Sequence, residues 1–513
     1  MSAESPAPGR RFSWWHLLAV IFLLRLLYLP LFCSVTDLAG DESYYWEWGR
    51  RPDWGYYSKP PMIGWLMGVT GLCTGHAEWG VRLAALLMGT GTLACLALLA
   101  RRMFGERAAW LTILLAALTP ANAALNLFFT IDAPLLLCWS AALLAFWNCV
   151  DQPERTRHWV FLTLALGLGN LSKQMMLVFP VITLLFLSLE STKRFLLRRP
   201  ALWVSLAISL LFLAPVLIWQ AQHHWITLEH TKEHFHGTGQ HGIGKWLVQV
   251  LSFPAAQALL FSPVTWALMI FLTLGGLWKW KVLELRQRYL VIFSGPALVV
   301  FFLLALRQNI NPNWPAAFHL SAIVLVAGSA HDMAAAAWAW GRIRGKSITW
   351  ALRVGAVLCL LAYLLPLYSA VAKYAKWEVA DPMRRLRGWK ESGEQAGAML
   401  ARVPRPGQTF LLALGHRENA SQFAFYTPQH PKAYRWQSDG KVASQYEIWP
   451  SAGAEQQGND ALILQPSDKP LPKSLTNVFT SVEPLGMIDV PLGKGESRKW
   501  QVYLGRELKG WME

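Results

Sequence analysis

Acidic, basic and aromatic side chains gather in one stretch, residues 36–66, directly after an apolar segment. The stretch reads TDLAGDESYYWEWGRRPDWGYYSKPPMIGWL and holds the adjacent carboxylates of Asp41 and Glu42, followed by Lys59 before two prolines. A carboxylate in a low-dielectric cleft can act as a general base, and a fixed ammonium can stabilise a phosphate. We interpret these residues as candidates for such chemistry. The alternatives are loop acids favoured near a helix start and a lysine that reaches lipid phosphates.

Further charged side chains stand at the ends of other apolar runs. Asp132 lies in NLFFTIDAPLLLCW, Lys173 in GNLSKQMM and Arg307 in ALRQNINPNWP. Ionisable groups at membrane depth are expensive and tend to be retained for function. Asp132 could instead cap the helix that follows it. If the three segments meet, we expect Lys59, Lys173 and Arg307 to surround one phosphate-like anion.

The elements that must position these residues are membrane-spanning helices. The chain of 513 residues is 54% hydrophobic and only 15% charged, which excludes an ordinary soluble domain. About 20 apolar residues span a bilayer, and by that measure the sequence predicts about eleven spans. They cover residues 13–34, 81–100, 108–126, 131–150, 157–171, 174–190, 201–221, 250–278, 289–306, 315–332 and 348–371.

The distribution of basic residues orients these spans. A net charge of +16 would suggest nucleic acid as the partner of a soluble protein. Here Lys and Arg concentrate in alternate short loops, which is the positive-inside bias, so no nucleic-acid partner is expected. The bias predicts a cytoplasmic, disordered tail over residues 1–12, a transmembrane domain over 13–371 and a functional first outer loop over 35–80.

The composition changes after residue 371. Strand-like runs TFLLALG, FAFYT, DALILQPS and WQVYLG alternate with Pro and Gly loops, and residues 381–403 have the pattern of an amphipathic helix. We interpret residues 372–513 as a small α/β domain. An odd number of spans places this domain on the outer side of the membrane.

A second long outer loop, residues 221–246, is rich in histidine. Its histidines do not follow the zinc-protease spacing H-E-x-x-H, so we favour a loop that faces a polar substrate. The six cysteines show neither metal-type spacing nor a disulfide pattern. The sequence contains no Gly-rich phosphate loop, which argues against a nucleotide cofactor.

Several motifs in order resemble a known family. DESYYWEWG, YYSKPPMIGWL, TIDAPLLLCW, GLGNLSKQMML, PVLIWQAQHHWITL, ALLFSPV and NPNWPAAF are similar to motifs of polyprenyl-phosphate-sugar-dependent membrane glycosyltransferases. These enzymes have the GT-C fold, and the chain resembles the branch of bacterial aminoarabinose transferase and protein O-mannosyltransferases. The resemblance covers about residues 15–330.

The resemblance implies an inverting glycosyltransferase of the bacterial inner membrane with a periplasmic C-terminal domain. Its donor would be a sugar on polyprenyl phosphate, and its acceptor lipid A, another glycan or a protein. Asp41, Glu42 and Asp132 would be the catalytic carboxylates. The residues expected to bind substrate are Tyr45, Tyr57, Lys59, Lys173, His224, Arg307, Asn313 and Trp314.

One position departs from the aminoarabinose branch. That branch has an acidic residue, part of a metal site, before the Lys-Pro-Pro sequence, whereas this chain has Ser58. The departure weakens both the expectation of a divalent metal ion and that of the same sugar. Other hypotheses are a polysaccharide ligase or polymerase with a diphosphate-linked donor, a lipid flippase or transporter, and a non-catalytic envelope assembly protein. Polar residues at one face, rather than at the bilayer midplane, favour interfacial chemistry over transport.

Overall fold

The structure is a computed structural model that describes residues 13–235, 242–331, 346–375, 383–437, 440–493 and 496–511. The predicted tail, residues 1–12, and two of the loop histidines, His236 and His241, lie outside the described residues. The larger part of the described chain is helical. Its helices up to residue 375 are α1 Trp14–Val35, α2 Gly40–Arg50, α3 Met62–Thr74, α4 Glu78–Phe104, α5 Glu106–Ala117, α6 Pro120–Leu127, α7 Asp132–Asp151, α8 Thr156–Ser172, α9 Val178–Leu189, α10 Pro200–Leu211, α11 Ala214–Gln222, α12 Ile226–Phe235, α13 Ile243–Phe261, α14 Pro263–Trp278, α15 Leu285–Ile292, α16 Gly295–Ala305, α17 Ala316–His331 and α18 Lys346–Ala375.

The length and composition of these helices make the chain an integral membrane protein. In the described part, 7 helical segments are long and apolar enough to cross a membrane, or up to 8 if one bent pair counts as a single span. Four shorter apolar segments accompany them: Met62–Thr74, Gln174–Leu189, Pro263–Trp278 and Ala316–His331. The predicted total of about eleven spans stays a prediction.

The structure adds detail to two of the predicted regions. The span predicted over 250–278 is divided at Ser262, whose backbone has φ 65°, into α13 and α14. The first outer loop, residues 35–80, contains two helices of its own, α2 and α3. The loop therefore presents many of its charged side chains from a helical framework.

The third predicted span is sharply bent. Helices α5 and α6 meet at an angle of 75°, where Pro120 begins α6 and the Thr119 hydroxyl accepts a hydrogen bond from the backbone N–H of Asn122. The buried Arg25 side chain donates from Nη2 to the Ala117 carbonyl at 3.3 Å and to Asn122 Oδ1 at 2.7 Å. A cation placed at the end of α5 complements the helix dipole and satisfies a carbonyl that the break leaves free.

The C-terminal unit is built on a five-stranded sheet. Its strands are β1 Thr409–Leu414, β2 Ala433–Trp436, β3 Asp460–Pro466, β4 Phe479–Gly493 and β5 Glu496–Leu508, in the order β2-β1-β3-β5-β4. Strands β2, β1 and β3 are parallel, and β5 and β4 are antiparallel. Four helices complete the unit: α19 Trp389–Leu400, α20 Arg417–Tyr426, α21 Ala452–Glu455 and α22 Lys473–Thr476.

One strand prediction was wrong. The run FAFYT, residues 423–427, belongs to the end of α20 and not to a strand. A short buried apolar run has the same composition in a core helix as in a strand, so periodicity cannot separate them. The predicted amphipathic helix over 381–403 is confirmed in its central part, Trp389–Leu400.

Helix α2 packs directly on α20 of the C-terminal unit. The hydroxyls of Ser43 and Ser421 lie 2.9 Å apart, the backbone N–H of Leu38 donates to the Tyr426 hydroxyl at 2.6 Å, and Gln422 Nε2 donates to the Leu38 carbonyl at 2.8 Å. Buried aromatic side chains of both helices belong to one apolar cluster. The C-terminal unit and the first outer loop therefore lie on the same face of the protein.

The packing of α2 on α3 yields a stability prediction. A Cβ atom on Gly49 would lie 2.4 Å from the backbone nitrogen of Gly68 and 2.8 Å from the carbonyl carbon of Met67. Because neither backbone atom can move away alone, we expect Gly49→Ala to lower the free energy of unfolding by about 1–3 kcal/mol. Thermal unfolding in detergent measures the loss.

Gly407→Ala is the matched control, since a Cβ atom there meets nothing within 4 Å. Equal melting temperatures for both variants would show that the contact between α2 and α3 is looser than the structure has it.

Candidate active site

Asp132 stands at the centre of a buried polar cluster at the end of three apolar segments. It begins α7, and its Oδ1 accepts a hydrogen bond from Lys173 Nζ at 2.7 Å. Its Oδ2 accepts one from Asn313 Nδ2 at 2.6 Å. The side chains of Asp132 and Lys173 are only 5% and 11% exposed. The ion pair fixes the ends of α7 and α8 to each other, while Asn313 brings in the segment before α17.

Lys59 lies close to this cluster in the loop between α2 and α3. The prolines at 60 and 61 keep the local backbone out of a helix, and the Lys59 carbonyl accepts a hydrogen bond from the Tyr56 N–H at 3.1 Å. Burial lowers the pKa of the Lys59 ammonium to about 8, the nearby Lys173 adds to this effect, and Asp41 and Asp132 oppose it. Among the described residues, the Lys59 ammonium has neither an ion-pair nor a hydrogen-bond partner. It is a half-buried cation with its charge available to a ligand.

Helix α2 presents Asp41 and Tyr45 one turn apart on the side that faces Lys59. The Asp41 side chain is 55% exposed, and its Oδ1 lies 3.6 Å from Arg417 Nη2. Tyr45 is buried, and burial together with the charges of Asp41 and Asp132 raises the pKa of its phenol well above the ordinary value. The Tyr45 phenol therefore stays neutral, and it lies within electrostatic range of both carboxylates.

Glu42 points away from this side of α2 and is fully buried. Its Oε1 accepts from the backbone N–H of Phe129 at 2.9 Å, and its Oε2 accepts from the N–H of Ala39 at 2.8 Å. Burial raises the pKa of this carboxyl, whereas Arg82 and the two backbone N–H groups act in the opposite direction. Glu42 therefore connects the start of α2 to the segment that leads into Asp132.

The other residues predicted to bind substrate do not join this cluster. The Tyr57 hydroxyl lies 3.2 Å from His230 Nδ1, so the histidine loop contacts the first outer loop through His230. His224 is exposed in a turn with φ 55°, and Arg307 is exposed at the end of α16. Trp314 packs against the apolar core of the helical bundle. The structure brings together Asp41, Tyr45, Lys59, Asp132, Lys173 and Asn313.

Arg417, the counter-charge of Asp41, comes from the C-terminal unit and was not among the site residues predicted from the sequence. It opens α20 directly after β1, at the carboxyl end of a parallel strand. Ligand-binding residues of parallel sheets often occupy that position. The strand TFLLALG followed by HRE was a usable signal, but nothing in the sequence showed that this edge faces the first outer loop.

The side chains near Ser58 can be compared with the ligands that a divalent metal ion requires. Ser58 is buried and supplies no carboxylate, and both oxygens of Asp132 and of Glu42 are engaged by N–H donors. Within the ranges that the structure describes, no group of three His, Cys, Asp or Glu side chains could hold a metal. These residues do not fit a metal site in this arrangement.

The fold is similar to that of a solved membrane protein, and part of the chain matches a known family model. Residues 58–219 match the family model described as dolichyl-phosphate-mannose-protein mannosyltransferase. The structure superposes on ArnT from Cupriavidus metallidurans bound to undecaprenyl phosphate with a TM-score of 0.62, at 19% identity, over 96% of this chain and 98% of that one.

Two curated relatives are similar in sequence. Lipid A galacturonosyltransferase RgtD from Rhizobium johnstonii is 27% identical over 300 residues, 57% of this chain and 60% of the relative. The undecaprenyl phosphate-alpha-4-amino-4-deoxy-L-arabinose arabinosyl transferase from Shewanella sediminis is 28% identical over 217 residues, 39% of this chain and 34% of the relative. These matches confirm the predicted resemblance to polyprenyl-phosphate-sugar glycosyltransferases of the aminoarabinose-transferase type. The aligned region spans less than two thirds of each curated relative.

The geometry of Glu42 leads to a prediction. Glutamine has one acceptor oxygen, so Glu42→Gln would leave the Phe129 or the Ala39 N–H facing an NH₂ group inside the protein. An unsatisfied buried donor costs about 1–3 kcal/mol. We expect a lower melting temperature and faster amide exchange in residues 128–132. The exposed Glu394, changed to Gln, is the control, and equal exchange in the two variants would contradict the connecting role of Glu42.

Proposed function

We propose that the protein is an inverting glycosyltransferase that moves a sugar from a polyprenyl-phosphate donor to an envelope acceptor. The observation that carries the proposal is the placement of an accessible carboxylate, Asp41, beside an ammonium without a protein partner, Lys59, at one end of a GT-C helical bundle. The names of the relatives support it, because RgtD acts on lipid A and the bound ArnT structure holds undecaprenyl phosphate.

In this reaction the donor phosphate binds Lys59. The charge on the phosphate oxygen grows as the bond to the anomeric carbon breaks, and the Lys59 ammonium stabilises it. The Lys173–Asp132 ion pair holds this end of the bundle rigid, and Asn313 adds a hydrogen bond to the second oxygen of Asp132. The donor ester is itself activated, so no additional energy source is required.

Asp41 acts on the acceptor. An acceptor hydroxyl attacks the anomeric carbon from the face opposite the phosphate and gives its proton to the Asp41 carboxylate. Direct displacement of this kind inverts the anomeric centre. If a phosphate oxygen of the acceptor attacks instead, it is already ionised, and Asp41 orients it. Tyr45, whose phenol is within electrostatic range of Asp41 and Asp132, hydrogen-bonds the sugar.

We further propose a topology of eleven crossings with the C-terminal unit in the periplasm. Arg288 of α15 pairs with Glu190 at 2.9 Å at one end of the bundle, whereas Asn313, Lys173 and Asp132 meet at the other. Trp246 and Gln249 of α13 donate to the Leu306 and Ala305 carbonyls beside α16. This pairing supports α13 and α14 as one bent crossing, and the resulting odd total agrees with the orientation that the positive-inside bias predicts.

Transfer by purified protein tests the proposed function. We expect sugar transfer from a polyprenyl-phosphate sugar to lipid A in detergent, and a fall in turnover of about 100-fold or more in Asp41→Asn, because the general base is lost. Mass spectrometry of lipid A, core oligosaccharide and envelope proteins from cells with and without the gene identifies the sugar and the acceptor. Turnover of Asp41→Asn at the wild-type rate would refute Asp41 as base. Donor movement across the membrane without a glycosylated product would favour a flippase.

The lowered pKa of Lys59 predicts how donor binding depends on pH. The ammonium is charged below its pKa of about 8 and loses its proton above it. The dissociation constant of polyprenyl phosphate should therefore be flat up to about pH 7.5 and rise about tenfold per unit well above pH 8. Fluorescence titration between pH 7 and 9.5 measures it, a range in which the phosphate monoester, with a second pKa of about 6, is almost fully ionised.

Lys59→Arg is the matched control for this experiment. A guanidinium stays protonated throughout the range, so its donor affinity should not change with pH. If the wild type and Lys59→Arg have the same pH profile, Lys59 is not the phosphate partner.

A further inference from the structure

A cavity at one edge of the C-terminal sheet is separate from the candidate active site. It encloses about 280 Å³ between strand β2, which ends the sheet on that side, and the segment 440–452 that follows it. Small-molecule sites ordinarily measure about 300–1,000 Å³, so this cavity suits a ligand at the small end of that range. Its wall contains four aromatic side chains, Tyr434, Tyr446, Trp449 and Trp511.

Trp449 and Trp511 form a fixed aromatic part of the wall, and both remain partly exposed. The Arg51 guanidinium of the first outer loop lies 4.0 Å from the centre of the Trp449 ring. The Trp511 ring meets the Trp436 ring edge to face, with 4.8 Å between the ring centres. Because these contacts fix both rings, a ligand that packs on them does not have to order them first.

The polar part of the wall is a set of planar groups joined by hydrogen bonds. Arg435 donates from Nη1 to Glu447 Oε1 at 2.6 Å and from Nη2 to Gln437 Oε1 at 2.6 Å. Glu447 Oε2 accepts from the Ser444 hydroxyl at 2.7 Å and from the Ala443 N–H at 3.2 Å. A carboxylate oxygen has two lone pairs, so Glu447 Oε1 can accept one further hydrogen bond from a ligand hydroxyl.

Aromatic rings next to a fixed carboxylate and guanidinium are suited to a saccharide. A sugar ring has apolar C–H faces that pack on aromatic rings, and hydroxyls at its edge that pair with planar polar groups. An anion would need a buried cation without a counter-charge, but Arg435 is paired with Glu447, and Lys441 is exposed. An apolar ligand would cover the Glu447 carboxylate with hydrocarbon, which is unfavourable. A neutral ligand with hydroxyls fits best.

We propose that this cavity binds one neutral sugar unit of a glycan and is a carbohydrate site distinct from that of Asp41 and Lys59, neither of which lines it. The inference does not depend on the proposed glycosyl transfer. The Tyr446 ring stacks on the Tyr44 ring of α2 with 6.0 Å between the centres. A glycan bound in the cavity is therefore held beside the first outer loop.

Binding of methyl glycosides to the full-length protein tests the proposal. The protein is purified in a zwitterionic detergent, because detergents with sugar head groups would compete. Methyl glucoside, galactoside, mannoside and N-acetylglucosaminide are titrated by saturation-transfer NMR. We expect saturable binding of at least one of them, and a dissociation constant about tenfold or more higher in Trp449→Ala, because truncating a tryptophan at a contact is commonly that costly.

Val442→Trp is the second variant, because it fills the cavity and leaves the fixed contacts in place. Val442 lines the cavity and is 40% exposed. We expect this variant to lose glycoside binding at an unchanged melting temperature. Leu485→Trp is the matched control, since it adds the same side chain at an exposed position of β4, at the opposite edge of the sheet, and should bind like the wild type.

The outcomes decide the proposal without reference to sugar transfer. The absence of binding by all four glycosides, or binding that Val442→Trp leaves unchanged, would refute the carbohydrate site. If methyl glucuronide binds and the neutral glycosides do not, the cavity is an anion site and the proposal is wrong. Because no step of this test measures turnover, a failure of the proposed function would leave its result unchanged.

Discussion

The two backbone hydrogen bonds accepted by Glu42 are the constraint on which the candidate site depends. They join the start of α2 to the segment before α7, and so they fix the distance between two acidic positions that are 91 residues apart in sequence, Asp41 and Asp132. A buried carboxylate is tolerated because both oxygens are satisfied and Arg82 lies nearby. Of the two adjacent acids, Glu42 therefore has a structural role, whereas Asp41 is accessible to a ligand.

The site is a composite of two units with different physical properties. The membrane bundle supplies groups at its end, where burial alters their proton affinity, as the pKa of Lys59 shows. The C-terminal unit supplies a sheet edge with charged side chains that remain partly in water, such as Arg417. The proposed reaction joins a lipid-linked donor to a polar acceptor, so it needs a buried surface and a partly solvated surface close to each other.

The sequence predicted the parts of the fold that depend on composition and periodicity. The length of the apolar runs located the helices. The position of charged residues at the ends of these runs pointed to the residues that the structure brings together, Asp41, Lys59, Asp132 and Lys173. The sequence could not separate Glu42 from Asp41, because adjacent residues on a helix point in different directions, and only the tertiary fold shows which of them faces Lys59. It also missed Arg417, since contact between the two units is a matter of packing. FAFYT was mistaken for a strand because a short apolar run has no distinctive period.

The bend between α5 and α6 has a geometric consequence for the whole assembly. Eight residues of helix are about 12 Å long, so a 75° turn moves the end of α6 sideways by roughly that length. Phe129 follows this end, and its N–H is the donor that Glu42 requires. A straight helix of identical hydropathy would carry Asp132 out of reach of α2. By donating to the Ala117 carbonyl at the end of α5 and to the Asn122 side chain in α6, the buried Arg25 holds this bend. It thereby holds the position of the Phe129 N–H that Glu42 requires.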